Sequence, residues 1–401
     1  MNITWWIILP ALLLLPQISK GQDIGPVWEK QMSSQMFTSF NDVAENSDGT
    51  FTVLGTIDKK GSNATDPWLI FFTPAGDTIK SVIFPNEGAD TPIRLAKYGD
   101  NGYLIAVLNG LPGEQQTAWV LKTGTDGKEI WRKNHPEPNF TGRTDVAVSE
   151  DGTWWWLNTI REDNGHEVIS LCHLNGEGDI TGNFTFTDKQ SMHAHSIRIL
   201  PDQTLAVTGQ TDQGKGSSTM WVMRINQQGE QIWKSTVPGA GKKISPECIC
   251  CTPDNNLVIA GWIGSCMNPD ALPENQIFDF DLILTKMDGS GKILWTKNYD
   301  REGSEGGNAV AVMPDGNIFI AGKCETSFTG TIGPWLLMTD KDGKKITDRV
   351  EKFMFNGDQA SRVINTSDGG LLMVGPGKTP PDSRRSIGWI RKFKSATQAQ
   401  Q

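Results

Sequence analysis

Concentrated basic patches, membrane-length apolar runs and low-complexity linkers are all missing from these 401 residues. With no basic cluster and a formal net charge of −9, a nucleic-acid partner is not expected. Residues 7–16 are apolar but too short to cross a bilayer, and no later run comes closer, so no membrane span is expected. No Cys follows that run, which argues against a lipid anchor. No linker divides the remainder, so residues 22–401 are expected to form one domain. Cysteine is sparse, at six residues, and the Cys-x-Cys-Cys run at 248–251 has no partner Cys pair or His pair at zinc-site spacing. No cofactor is therefore expected.

What is present at the start is a short apolar core followed by small residues, Ser19 and Gly21, at the −3 and −1 positions of a cut before Gln22. Residues 1–21 thus read as a signal peptide, although its first segment carries no Lys or Arg. The expected location is the periplasm or the exterior, and the expected state is a monomer.

Glycine is abundant, at 43 residues, and it falls in a rhythm. Residues 195–234 hold four short β-branched or aromatic runs separated by turn formers, which is a strand signal. The pattern recurs. Turn aspartates stand at Asp48, Asp100, Asp151, Asp202, Asp254, Asp315 and Asp368, spaced by 51 to 53 residues except for 61 after Asp254. Glycines of a second turn stand at Gly76, Gly127, Gly178, Gly229, Gly291 and Gly343. Trp marks the third strand at Trp68, Trp119, Trp221, Trp335 and Trp389, and the fourth at Trp131, Trp233 and Trp295. Four strands per unit, with copies that must stack to bury both faces, predict an all-β, seven-bladed β-propeller of four-stranded antiparallel blades. The seventh unit lacks a fourth strand. Pro26-Val27-Trp28-Glu29-Lys30 matches the fourth-strand segment Gln231-Ile232-Trp233-Lys234, so the N-terminal strand is expected to complete the last blade.

Segments such as Ser367-Asp368-Gly369-Gly370-Leu371-Leu372-Met373-Val374-Gly375 and Asp281-Leu282-Ile283-Leu284-Thr285-Lys286-Met287-Asp288 resemble a β-propeller repeat of secreted bacterial proteins, distantly similar to quinoprotein propellers. The resemblance covers residues 26–393. It implies fold and export but no activity, because that family is mostly of unknown role. Thr125-Asp126-Gly127-Lys128-Glu129-Ile130-Trp131 looks like half of a quinoprotein docking motif, and Cys250-Cys251 is similar to the vicinal pair over the quinone in some of those enzymes. The simpler reading is that Gly in the turn and Trp on the outer strand are needs of the blade itself. Ser149-Glu150-Asp151-Gly152-Thr153-Trp154 is one residue short of a sialidase Asp box and falls at a turn that every unit shares. No arginine set is recognisable at sialidase positions.

The short turns are uniform on one face, and the variable loops share the other, including an insertion at 263–279. Variable loops on a rigid scaffold are where sites are built. The residue seven before each turn Asp opens the innermost strand there: Asn41, Ile93, Thr144, His195, Glu247, Asn308 and Ser361. Strand alternation would point His193 and His195 the same way, beside Glu247, with a divalent metal as a minor alternative. The expected ligand site comprises His193, His195, Glu247 and Asn308, walled by Asp270, Glu274 and Asp279 of the insertion. Those acids favour a cationic or hydroxyl-rich ligand. A Cys248–Cys266 disulfide is expected to staple the insertion to its blade. The expected function is an exported, non-catalytic propeller that binds a glycan, peptide or partner protein. A polysaccharide hydrolase or lyase is the alternative, and a quinoprotein dehydrogenase ranks below both.

Overall fold

A computed structural model describes residues 26–34, 37–58, 64–110, 116–135, 140–149, 152–214, 216–267, 278–301, 303–326, 331–350, 359–378 and 386–394. These hold twenty-eight strands, β1 to β28 in chain order, arranged as seven four-stranded antiparallel sheets. The innermost strands are β2 (Thr38–Glu45), β6 (Asp90–Lys97), β10 (Phe140–Val148), β14 (Met192–Ile199), β18 (Lys243–Cys251), β22 (Glu305–Val312) and β26 (Arg362–Asn365). Each touches the next, and β26 returns to β2, closing the ring of a seven-bladed β-propeller. The last blade is ordered β1-β28-β27-β26: β1 (Pro26–Ser33) pairs with β28 (Ser386–Phe393), beside β27 (Leu371–Lys378).

Turn chemistry explains the repeat. In the first turn of most blades the residue after the Asp is left-handed: φ is 79° at Gly49, 85° at Gly316 and 79° at Gly369, with Gln203 at 64° and Asn255 at 59° in the same role; in blade two the left-handed residue is Gly99, at 56°, before Asp100. The Asp carboxylate closes the turn; Asp48 Oδ1 accepts from Thr50 N at 3.0 Å. The glycines of the second turn meet a further demand. A Cβ at Gly76, Gly178 or Gly343 would lie 2.8, 2.7 or 2.9 Å from the ring of Trp28, Trp131 or Trp295. Each of these tryptophans sits on the outer strand of one blade and covers the turn of the next.

The blades are held by apolar clusters. One gathers Trp155, Leu171, Ile197, Val207 and Trp221 between blades three and four. Burying such side chains is worth roughly 1.5–3 kcal/mol each.

Candidate ligand site at the channel mouth

Five of the seven innermost strands carry a β-bulge at the same place. Phe40 pairs with Gly55 and Asp42 with Leu54, which leaves Asn41 as the extra residue. Ile93, His195, Glu247 and Asn308 are skipped in the same way in β6, β14, β18 and β22. A bulge bends the strand and re-aims the extra side chain, here into the channel. Glycine on the second strand makes room for it. A Cβ at Gly209, Gly261 or Gly322 would lie 2.0, 2.0 or 1.8 Å from the carbonyl oxygen of His193, Ser245 or Gly306. Val107 stands at the equivalent place in blade two, so the glycine is favoured rather than obligatory.

The seven ring residues Asn41, Ile93, Thr144, His195, Glu247, Asn308 and Ser361 line one cavity of about 470 Å3, joined by Arg94, Arg143, Trp262, Lys323, Gln359 and Arg362. Glu247 accepts from Trp262 Nε1 at 3.0 Å and is ion-paired to Arg143, 104 residues away and two blades back around the ring. Asn308 Nδ2 donates to Ala360 O at 2.8 Å, tying blade six to blade seven. Burial, reinforced by Arg143 and His193, holds the His195 imidazole well below its usual range, so it is neutral. Its Nδ1 has no hydrogen-bond partner among the described residues.

Behind the cavity wall lies a buried ionic layer. Arg94 grips Asp145 with Nε at 2.6 Å and Nη2 at 3.1 Å, and lies 3.4 Å from Asp42. Arg362 Nε is 3.2 Å from Asp42, and Arg198 is 3.6 Å from Asp145. Backbone amides complete the carboxylates: Leu95 N donates to Asp42 and Ile197 N to Asp145, at 2.9 and 3.0 Å. Cys248 Sγ sits between Arg198 Nη2 at 3.7 Å and Arg362 Nη1 at 3.6 Å. Burial alone would push its thiol up; Arg198, Arg362 and Arg94 outweigh that and lower it.

Several expectations need correction. His193 does not share the mouth with His195. The bulge at His195 breaks the alternation, and His193 instead lies between Glu167 (3.0 Å) and Asp212 (3.2 Å). His193, His195 and Glu247 therefore do not form a metal-ligand set. The Cys248–Cys266 bridge is ruled out by register: Cys248 faces Ala260, whereas Cys266 faces Phe278. Six strand residues separate the two places, about 20 Å, against a Cα limit of about 7 Å for a disulfide. Cys250 packs toward blade six and Cys251 toward blade four, so the adjacent pair straddles its sheet. The 263–279 insertion is partly strand: β19 (Leu257–Cys266) and β20 (Phe278–Met287) run into it from both ends. Asp279 is exposed, paired with Ser265, and outside the cavity lining. Asp270 and Glu274 lie outside the described residues.

Asp42, Arg94, Asp145, Cys248 and Arg362 each stand one residue past a ring position in the sequence, an offset from which the sequence alone suggested no role, and Arg143, Arg198, Trp262 and Lys323 were missed. The alternation of Asp and Arg at that one step was the available signal. Elsewhere, carboxylate oxygens of Asp281, Asp300 and Glu305 lie within 4.8 Å of one another. Burial, with Asp300 and Asp281 nearby, pushes Glu305 up to about 7.

No family model matches the chain. The curated Regulatory protein FlaEY of Caulobacter vibrioides is 21% identical over 313 residues, covering 71% of this chain but 32% of FlaEY. This chain thus matches about a third of that relative's length. Among solved structures, a protein of unknown function from Dyadobacter fermentans superposes with a TM-score of 0.54 at 11% identity, covering 92% of this chain and 99% of that one. The Neurospora crassa Pan2 WD40 domain gives 0.53 at 9%, covering 89% and 94%. Likeness at this level shows a shared β-propeller fold and nothing finer.

Proposed function

We propose that this chain is an exported, non-catalytic member of the secreted bacterial propeller-repeat group, and that it binds its ligand at the channel mouth on the loop-rich face. One observation carries the reading: seven blades each contribute the same structural position to one cavity of about 470 Å3, within the usual range of about 300–1,000 Å3 for ligand pockets. Five of those positions are bulged out of their ladders. Binding is favoured over hydrolysis because Glu247, the one carboxylate among the described lining residues, is already engaged by Arg143 and Trp262. Most glycosidases act with a pair of carboxylates free to engage the substrate.

A glycan screen on the purified full chain tests this. His195→Ala and Asn308→Ala should weaken binding of the best hit about tenfold or more; Asn308→Ala also removes the bond to Ala360 O and should lower the melting temperature modestly, whereas His195→Ala should change it little. If both variants bind like the parent while changes on the short-turn face, such as Lys80→Ala, abolish binding, the proposed face is wrong.

A further inference from the structure

We infer that the ligand is an acidic sugar, with its carboxylate held over the arginines of the channel mouth. This rests on the reading of the mouth as the ligand site. The charge pattern carries it. The chain as a whole is at −9, yet the mouth and the layer behind it hold five cations, Arg94, Arg143, Arg198, Lys323 and Arg362, against three carboxylates, Asp42, Asp145 and Glu247. Positive charge remains in surplus even with Cys248 ionised.

Placement sharpens the surplus. Asp42 and Asp145 are almost wholly buried and do not reach the cavity wall, whereas Arg94 and Arg362 do. Lys323 lines the cavity and has no carboxylate partner among the described residues. An entering ligand therefore meets guanidinium and ammonium groups first. Gathered at one concave mouth, their fields add. The guanidiniums of Arg94, Arg143 and Arg362 are already paired with Asp145, Glu247 and Asp42, so they contribute field, and Lys323 is the lining cation placed to pair with the ligand carboxylate.

The rest of the lining selects a hydroxyl-rich body for that anion. Asn41, Asn308, Gln359 and Ser361 offer amides and a hydroxyl, while Ile93 and Trp262 are the apolar members of the described lining. A peptide side chain would want apolar walls. Neutral His195 lines the same cavity, and a ring nitrogen that reaches it can accept from or donate to a sugar hydroxyl according to its tautomer.

The test is calorimetric titration of the full chain with a uronate disaccharide and with its carboxyl-reduced, neutral counterpart. The uronate is expected to bind, and the neutral sugar to bind about tenfold more weakly or worse. Added salt should weaken the uronate alone. Lys323→Glu, on a half-exposed strand position, should lower uronate affinity by about tenfold or more without shifting the melting curve. Equal binding of both sugars, or unchanged uronate binding by Lys323→Glu, overturns the inference. If a neutral or amino sugar binds in a His195→Ala-sensitive manner while the uronate does not, the site stands and the acidic ligand falls. If no acidic, neutral or amino sugar binds in a manner sensitive to His195→Ala or Asn308→Ala, both fall.

Discussion

Cys248 and Glu305 are perturbed in opposite senses, and each makes a testable residue. Cys248 is depressed by three guanidiniums despite its burial, while burial raises Cys250 up to about 11. In a pH titration of thiolate absorbance, Cys248→Ser should remove the component that ionises first. A depressed acid stabilises the fold above its unfolded pKa, and that contribution is lost as pH falls through the folded value. The stability cost of Cys248→Ser should therefore grow as the pH rises toward about 9. Glu305 runs the other way. Its folded value, about 7 against 4.5, makes the carboxyl favourable only at low pH, and stability is lost as pH rises from the unfolded value through 7. Glu305→Gln should leave melting near pH 4 unchanged and raise stability at pH 8 by on the order of 3 kcal/mol. A lower melting temperature at pH 8 would refute this.

At the scale of elements, the outer-strand tryptophans and the turn glycines act as couples. Gly178 has φ +80° and lies under Trp131. Gly178→Ala should cost about 2–3 kcal/mol, part from the positive φ and part from the ring contact. Adding Trp131→Ala should relieve the contact but not the φ strain, so the double-mutant cycle is non-additive by about 1 kcal/mol. The closing strand is a second case. Trp28 Nε1 donates to Pro74 O at 3.1 Å, and Glu29 pairs with Arg391 at 2.8 Å. Removing residues 22–31 should lower the melting temperature clearly, and Trp28→Ala alone should cost about 2 kcal/mol. Unchanged thermal unfolding of the truncated chain would contradict the closure.

Across the whole molecule, what was legible in the sequence was what is local. A turn Asp with its left-handed follower, or a Gly beneath a Trp, is written into a few adjacent residues, so blade number and the shared end-blade could be read. The ring residues followed because they keep a constant offset from the turn. Their company could not be read. The bulge is invisible to a rule of alternation, and it alone separates His195 from His193. Arg143 meets Glu247 across 104 residues, and Cys248 meets Arg362 across 114. Such pairs exist only once the ring has closed. The expectation of an acidic wall counted charges near the insertion, of which Asp279 stands outside the lining and Asp270 and Glu274 lie outside the described residues, while the cations come from five other places around the ring.

The pairing of β1 with β28 also imposes an order in time. Pro26 must find Phe393, and the later of these residues is made long after the earlier. Until then β1 has no partner strand, and the neighbouring blade lacks the Trp28 ring over its turn. Six blades can form in succession from near neighbours, each a cheap local step, but the seventh requires closing the longest loop in the chain. The ring therefore has one late, cooperative event, and the ionic layer of the channel, which joins Asp42 to Arg362, is completed by that same event. A chain caught before it would be nearly all folded and yet without a binding site.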